Sequence, residues 1–204
     1  MSLKKLISLK YWHLQLDEFK KLYDCDIQFN ASFRGQITLP RSVLESRELK
    51  YIKLYRLTQI SRGTIWFRFL YYQLKRRSDD TGIGLHENLN IGRGLIIGHA
   101  GTIVMNGDTK FGNEIMLTHG VTIGRDVRGR RKGAPIIGNR VCIRANSTVV
   151  GKIVIGDDVL VAPNTFVNFD VPSHSIVVGN PASIHYRNNA TDGHLGNPLE
   201  EIYE

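Results

Sequence analysis

The chain has 204 residues, 42% of them hydrophobic, 23% charged, with a formal net charge of +8, a size that suits one large domain with appendages. No apolar run approaches the ~20 residues that span a bilayer, and Lys4, Lys5 and Lys10 interrupt the apolar residues of the N-terminus, so no signal-peptide core forms. Two cysteines, Cys25 and Cys142, are too few and too far apart for a disulfide framework or a thiolate metal site, which points to a cytoplasmic protein, and the positive charge comes without zinc-finger, helix-turn-helix or aromatic RNA-binding signatures, so no nucleic-acid partner is expected.

Residues 1–80 read as a helical region. Glycine occurs there only at Gly35 and Gly63. Leu3, Leu6, Ile7 and Trp12 fall at helical spacing, and 14–27 continues that helix or starts another. Residues 30–40 read as a connection, because Asn, Ser, Gly and Pro cluster there. Ser42 followed by Glu45 forms a capping-box pattern, and Leu49, Ile52, Tyr55 and Leu57 predict a helix to about Ile60. Residues 64–77 predict a further helix, rich in aromatics and cations. Such a helix packs against the rest of its own domain or a partner subunit, or lies at a membrane surface. Residues 78–82 read as a polar hinge.

Between 81 and 184 the pattern changes to a six-residue period. Ile137, Ile143, Val149, Ile155, Val161 and Val167 are each six apart. Ile91, Ile97 and Ile103 keep the same step, and Phe111, Leu117 and Ile123 follow after a slip of two. Neither a helix nor a two-residue strand alternation has that period. It marks a parallel β-helix, in which short strands stack coil on coil around an apolar interior. From Ile123 to Ile137 there are eight residues more than one step, so the basic segment 125–134 is expected to leave the stack as an extruded loop. The tail, 185–204, is expected to be loosely ordered.

The stretches Ile97-Gly98-His99-Ala100-Gly101-Thr102, His119-Gly120-Val121-Thr122-Ile123-Gly124, Ala134-Pro135-Ile136-Ile137-Gly138 and Gly179-Asn180-Pro181-Ala182 resemble the hexapeptide-repeat acyltransferases, and within them the serine acetyltransferase branch. The resemblance implies a mainly β fold, a left-handed parallel β-helix behind an α-helical N-terminal region. It also implies acetyl-CoA as donor, a hydroxyl acceptor, and a homotrimer or dimer of trimers with sites between subunits. In family terms His99 is the general base, and a hydroxyl needs one, since imidazole is the side chain that gains and loses a proton near neutral pH. His119 is a second candidate at the site. Taking each hexad as a coil places the two histidines about three coils apart, roughly 14 Å at ~4.8 Å per coil. The CoA arm is expected along Ala145, Ser147 and Ala162, with Lys132 meeting its phosphates and Arg130 and Arg131 meeting the acceptor. His86 reads as a turn residue. His86, His99 and His119 lack the five-residue pair of the zinc-binding β-helix trimers, so no metal is expected.

Three positions depart from the serine acetyltransferase pattern: Gly84 and Gly98 stand where that branch has aspartates, and Ala134 where it has a histidine. Glu87, Asp108 or a backbone carbonyl are the candidates to orient His99 instead. These departures favour a sugar hydroxyl of a surface polysaccharide or its precursor as acceptor, an expectation shared by close relatives with a basic extruded loop. L-serine is the alternative acceptor, and a non-catalytic scaffold is the alternative of another class.

Overall fold

The computed structural model describes residues 9–203. Leu3, Leu6 and Ile7, expected on a helix face, lie outside the described residues. Helix α1 is one unbroken element, Leu9–Phe33, and it overruns the expected connection at Asn30. The Asn30 side-chain amide does not turn the chain. It donates to the carbonyls of Asp26 and Leu95, tying the helix to the first coil. The capping box at Ser42 does not form, because Glu45 pairs with the Arg41 guanidinium at 2.6 Å. Helix α2 is therefore a single turn, Arg41–Leu44. Ser46 is the working cap: its hydroxyl accepts from the Leu49 N–H and starts α3, Arg47–Ile60. Helix α4 runs Phe67–Thr81, through most of the expected hinge, and ends at Gly82 with φ 73°.

Fourteen strands follow. In chain order they are β1 (Ile83–Gly84), β2 (Leu95–Ile97), β3 (Ile103–Met105), β4 (Lys110–Phe111), β5 (Ile115–Leu117), β6 (Thr122–Gly124) and β7 (Ile136–Ile137). The second half holds β8 (Val141–Ile143), β9 (Thr148–Val150), β10 (Val154–Ile155), β11 (Val159–Val161), β12 (Phe166–Val167), β13 (Ser175–Gly179) and β14 (Ala182–Tyr186). They form three parallel sheets, ordered β1-β3-β6-β9-β12, β4-β7-β10 and β2-β5-β8-β11-β13-β14, of which only β14 is antiparallel. Three strands make one turn, so a coil is three hexads long. Ile137 lies beside Ile155 and Val149 beside Val167, eighteen residues apart. The spacing widens to twenty where Ile97 meets Leu117, and to twenty-six across the extruded loop, where Ile123 meets Val149.

The interior is a column of aliphatic side chains, Leu95, Ile97, Ile115, Leu117, Val141, Ile143, Val159 and Val161 among them, all nearly inaccessible to water. A second apolar layer lies outside the six-stranded sheet. Ile96, Met116, Cys142 and Leu160 point outward yet are buried under Phe29 of α1 and under Leu195 and Leu199 of the tail. The tail is thus ordered against the coils, and a last helix, α5 (Leu199–Ile202), closes it over α1. Asp158 anchors it, accepting from the Ala190 N–H, the Thr191 N–H and the Thr191 hydroxyl.

The helices dock through a buried ion pair. Both Arg56 and Asp26 are fully enclosed, with Nε to Oδ2 at 2.8 Å and Nη2 to Oδ1 at 2.9 Å. Arg56 also donates to the carbonyls of Ile91 and Gly92, while the Leu95 N–H donates to Asp26. Burial pushes the Asp26 carboxyl up, against the pull of the Arg56 charge and the hydrogen bonds it accepts. Among the described residues no helix is long and apolar enough to cross a membrane.

Candidate active site

The corner between the six-stranded and five-stranded sheets carries one residue per coil in a column: His99 after β2, His119 after β5, Ala145 after β8 and Pro163 after β11. His99 and His119 are therefore neighbours on successive coils. Their ring centroids are 6.0 Å apart and their planes tilted by 58°. The expected separation of about three coils fails because a turn of this prism takes three hexads rather than one. Both imidazoles are exposed at a cleft of about 450 Å³. Its other lining includes Arg34 from the end of α1, Thr118, Arg144 and Ala145.

The two-residue slip falls at this corner, not after Val104. Ile97 pairs with Leu117 and Met105 with Ile123, so the first coil spends eight residues where the next spends six. The surplus bulges around His99-Ala100-Gly101. Gly101 adopts φ 150°, and a Cβ there would stand 2.8 Å from the Cβ of His119. The bulge is held from α3: the Ala100 N–H donates to Glu48 Oε1 at 2.6 Å. Gly98 faces a closed wall, since a Cβ would meet Thr118 Cγ2 at 2.8 Å. The position where the related branch has an aspartate thus has no space for a side chain in this packing.

The other candidates are distributed as follows. Ala145 lines the cleft. The Ser147 hydroxyl is fully buried, donating to the Ala162 carbonyl and accepting from the Thr165 N–H, so it braces the stack rather than facing outward. Ala162 lies one coil below Arg144, and its N–H is spent on the Val177 carbonyl. Arg130, Arg131 and Lys132 do project in an extruded segment, but off the corner between β6 and β7, a different edge from His99. That loop closes on itself through paired Asp126 and Gly133 and is pinned where the Lys152 N–H donates to the Arg131 carbonyl. It borders an open hollow of about 480 Å³ lined by Asp126, Arg128, Gly129, Arg130 and Arg131. Glu87 lies 3.5 Å from His86, and Asp108 3.8 Å from Arg125; neither lines the His99 cleft.

Three side chains went unnoticed in the sequence: Arg34, Arg144 and Glu48. Arg144 was legible in principle, because one eighteen-residue turn plus the eight surplus residues of the loop puts it in the column of Thr118, next to the histidines. Arg34 and Glu48 arrive from helices whose docking no spacing encodes. Burial lowers the Arg34 guanidinium below its ordinary value, with the Glu48 carboxylate opposing.

No family model matches this chain. Serine acetyltransferase of Helicobacter pylori is 40% identical over 102 residues, half of this chain. The aligned stretch covers 60% of that protein, so the chain spans less than two-thirds of the relative's length. Among solved structures, Neisseria gonorrhoeae serine acetyltransferase in complex with serine superposes with a TM-score of 0.69 at 25% identity, covering 88% of this chain and 79% of that one. Serine acetyltransferase from Brucella abortus gives a TM-score of 0.72 at 24% identity, covering 92% and 82%. The fold shared with these structures is the left-handed parallel β-helix behind a helical N-terminal region.

Proposed function

We propose that this chain is an acetyl-CoA-dependent O-acetyltransferase whose acceptor is L-serine, with His99 as general base. The observation that carries the reading is the His99–His119 pair at a cleft that also holds two guanidinium groups. The similarity to serine acetyltransferases supports the choice of acceptor over a sugar. His99 takes the hydroxyl proton as the oxygen attacks the thioester carbonyl. The tetrahedral intermediate then collapses, the C–S bond breaks, and the same proton passes to the CoA thiolate. In this reading His119, one coil below, donates to the oxyanion or to the acceptor. Arg34 and Arg144 supply the charge that a serine carboxylate requires. An acyl-enzyme is not needed, and burial pushes the Cys142 thiol up to about 11, so it is no nucleophile.

Acetyl-CoA fits the corner as a long, thin co-substrate. Small residues at Ala145 and Ala162 leave its wall open, and Ser147 holds the two coils together behind them. In this reading the chain acts as a homotrimer or dimer of trimers, and the loop with Arg130, Arg131 and Lys132 serves the cleft of a second copy, where it meets phosphates. A sugar hydroxyl is the second reading, favoured by one observation: Gly98 has no room for the acid found in the serine-specific branch.

The test is thiol release from acetyl-CoA with L-serine and, separately, with a panel of sugars. Serine-dependent release that falls at least a thousandfold in His99→Ala is the expected result. Release with sugars and none with serine replaces the acceptor. Full activity in His99→Ala removes the base, and no CoA binding at all leaves a scaffold.

A further inference from the structure

We propose that the outward face of α4 is a docking surface for an anionic lipid bilayer. The helix has two apolar sides. The inner one, with Leu74 and Thr81 buried and Phe67, Leu70 and Tyr71 half-buried, packs on α3 and the first coil. That side is all the fold requires. The outer one presents Phe69 and Tyr72, which are 57% and 60% exposed, and Ile65, 64% exposed, lies in the turn just before the helix. At 100° per residue Phe69 and Tyr72 share a stripe that runs on to Arg76. Arg68 and Lys75 flank it on one edge and Arg77 on the other, all exposed. An apolar stripe with aromatic rings and cationic margins lets a helix lie in the lipid interface, with rings at headgroup depth and charges among the phosphates.

Charge decides between a bilayer and a second copy of the chain. From Arg62 to Arg77 there are five cations and no carboxylate. A self-contact across this stripe would set Arg68, Lys75 and Arg76 against their own copies, while Asp79 and Asp80 lie a turn further on, beyond the aromatic residues. An anionic surface matches the whole stripe at once. At 15 residues α4 is too short to span, so the contact is peripheral. This placement does not depend on which acceptor the enzyme uses.

The experiment is flotation of the full chain with vesicles of phosphatidylcholine alone and with equal phosphatidylglycerol, at low and high salt. Binding to the anionic vesicles that weakens in high salt, and at least tenfold less binding to phosphatidylcholine alone, is expected. Phe69→Ser/Tyr72→Ser and, separately, Lys75→Glu/Arg76→Glu each reduce it at least tenfold. Arg130→Glu/Arg131→Glu, which removes equal charge from the loop, leaves it unchanged. Circular dichroism and size-exclusion chromatography monitor fold and assembly. The proposal is overturned if the protein does not float, if the loop variant loses as much binding as the helix variants, or if the helix variants alter only the oligomeric state.

Discussion

At the scale of single residues, the corner around His99 is set by what surrounds its backbone. Glu48 accepts the Ala100 N–H inside the two-residue bulge. Glu48→Ala leaves that donor without its partner, and kcat is expected to fall about tenfold, near 1.4 kcal/mol, with KM for acetyl-CoA little changed. Glu48→Gln, whose amide oxygen still accepts, restores most of the rate. Steady-state kinetics on the two variants separate this role from a plain loss of charge. Gly98→Asp would return the acid of the related branch but drive its Cβ into Thr118 Cγ2. Overpacking of that kind costs about 1–3 kcal/mol. Thermal denaturation should show the loss in Gly98→Asp and its relief in Gly98→Asp/Thr118→Ala, which removes the methyl in the way.

At the scale of elements, the buried carboxylates Asp26 and Asp158 each join a peripheral segment to the coils. Arg56→Met leaves Asp26 buried beside no counter-charge and is expected to cost about 3–5 kcal/mol, measurable by urea denaturation. Asp158 ties the tail to the coils. Burial raises its carboxyl, but hydrogen bonds from Thr191, His174 and the Thr191 and Ala190 N–H groups outweigh that and hold it below the ordinary value. A depressed carboxyl stabilises in full above the ordinary carboxylate range, near ~4, and loses that contribution as pH falls through the folded value. The protection factors of the Ala190 and Thr191 amides, exchange rates corrected for the intrinsic pH dependence, should therefore fall in acid before those of the coils. Much of this level was legible. The hexad spacing located the strands and the eight surplus residues of the loop, because inward side chains recur wherever a coil turns. The second apolar layer was not read, although its signal was present. Leu95–Ile97, Ile115–Leu117, Val141–Ile143 and Val159–Val161 are apolar at all three positions, as strands buried on both faces must be. What covers them, Phe29 and the distant Leu195 and Leu199, follows no period. Ser42 misled because Pro40 and the Arg41–Glu45 pair claimed that turn first.

At the scale of the whole molecule, the tail is part of the packed structure. Ending the chain at Arg187 would take Leu195 and Leu199 off the layer of Ile96, Met116, Cys142 and Leu160 and leave Phe29 as its cover; full exposure of an Ile, Met or Leu costs about 1.5–3 kcal/mol. The Cys142 thiol, sealed in the full chain, should then react with an aromatic disulfide reagent at neutral pH, and the absorbance of the released thiolate reports it. The two ends of the coil stack have a different consequence. Any parallel stack ends in strands whose N–H and C=O groups face along the axis, ready to template another chain. Tyr51 and Tyr55 close one end, where the Leu85 N–H donates to the Tyr51 hydroxyl and the Tyr55 hydroxyl donates to the Leu89 carbonyl. At the other, β14 runs antiparallel against β13 and takes the edge of the six-stranded sheet, so the strand presented there does not continue the parallel coil. The helices and the final hairpin are thus terminators of a polymer. Without them the coils would be the repeat unit of a fibre, and the molecule stays finite because its ends are made of something other than coil.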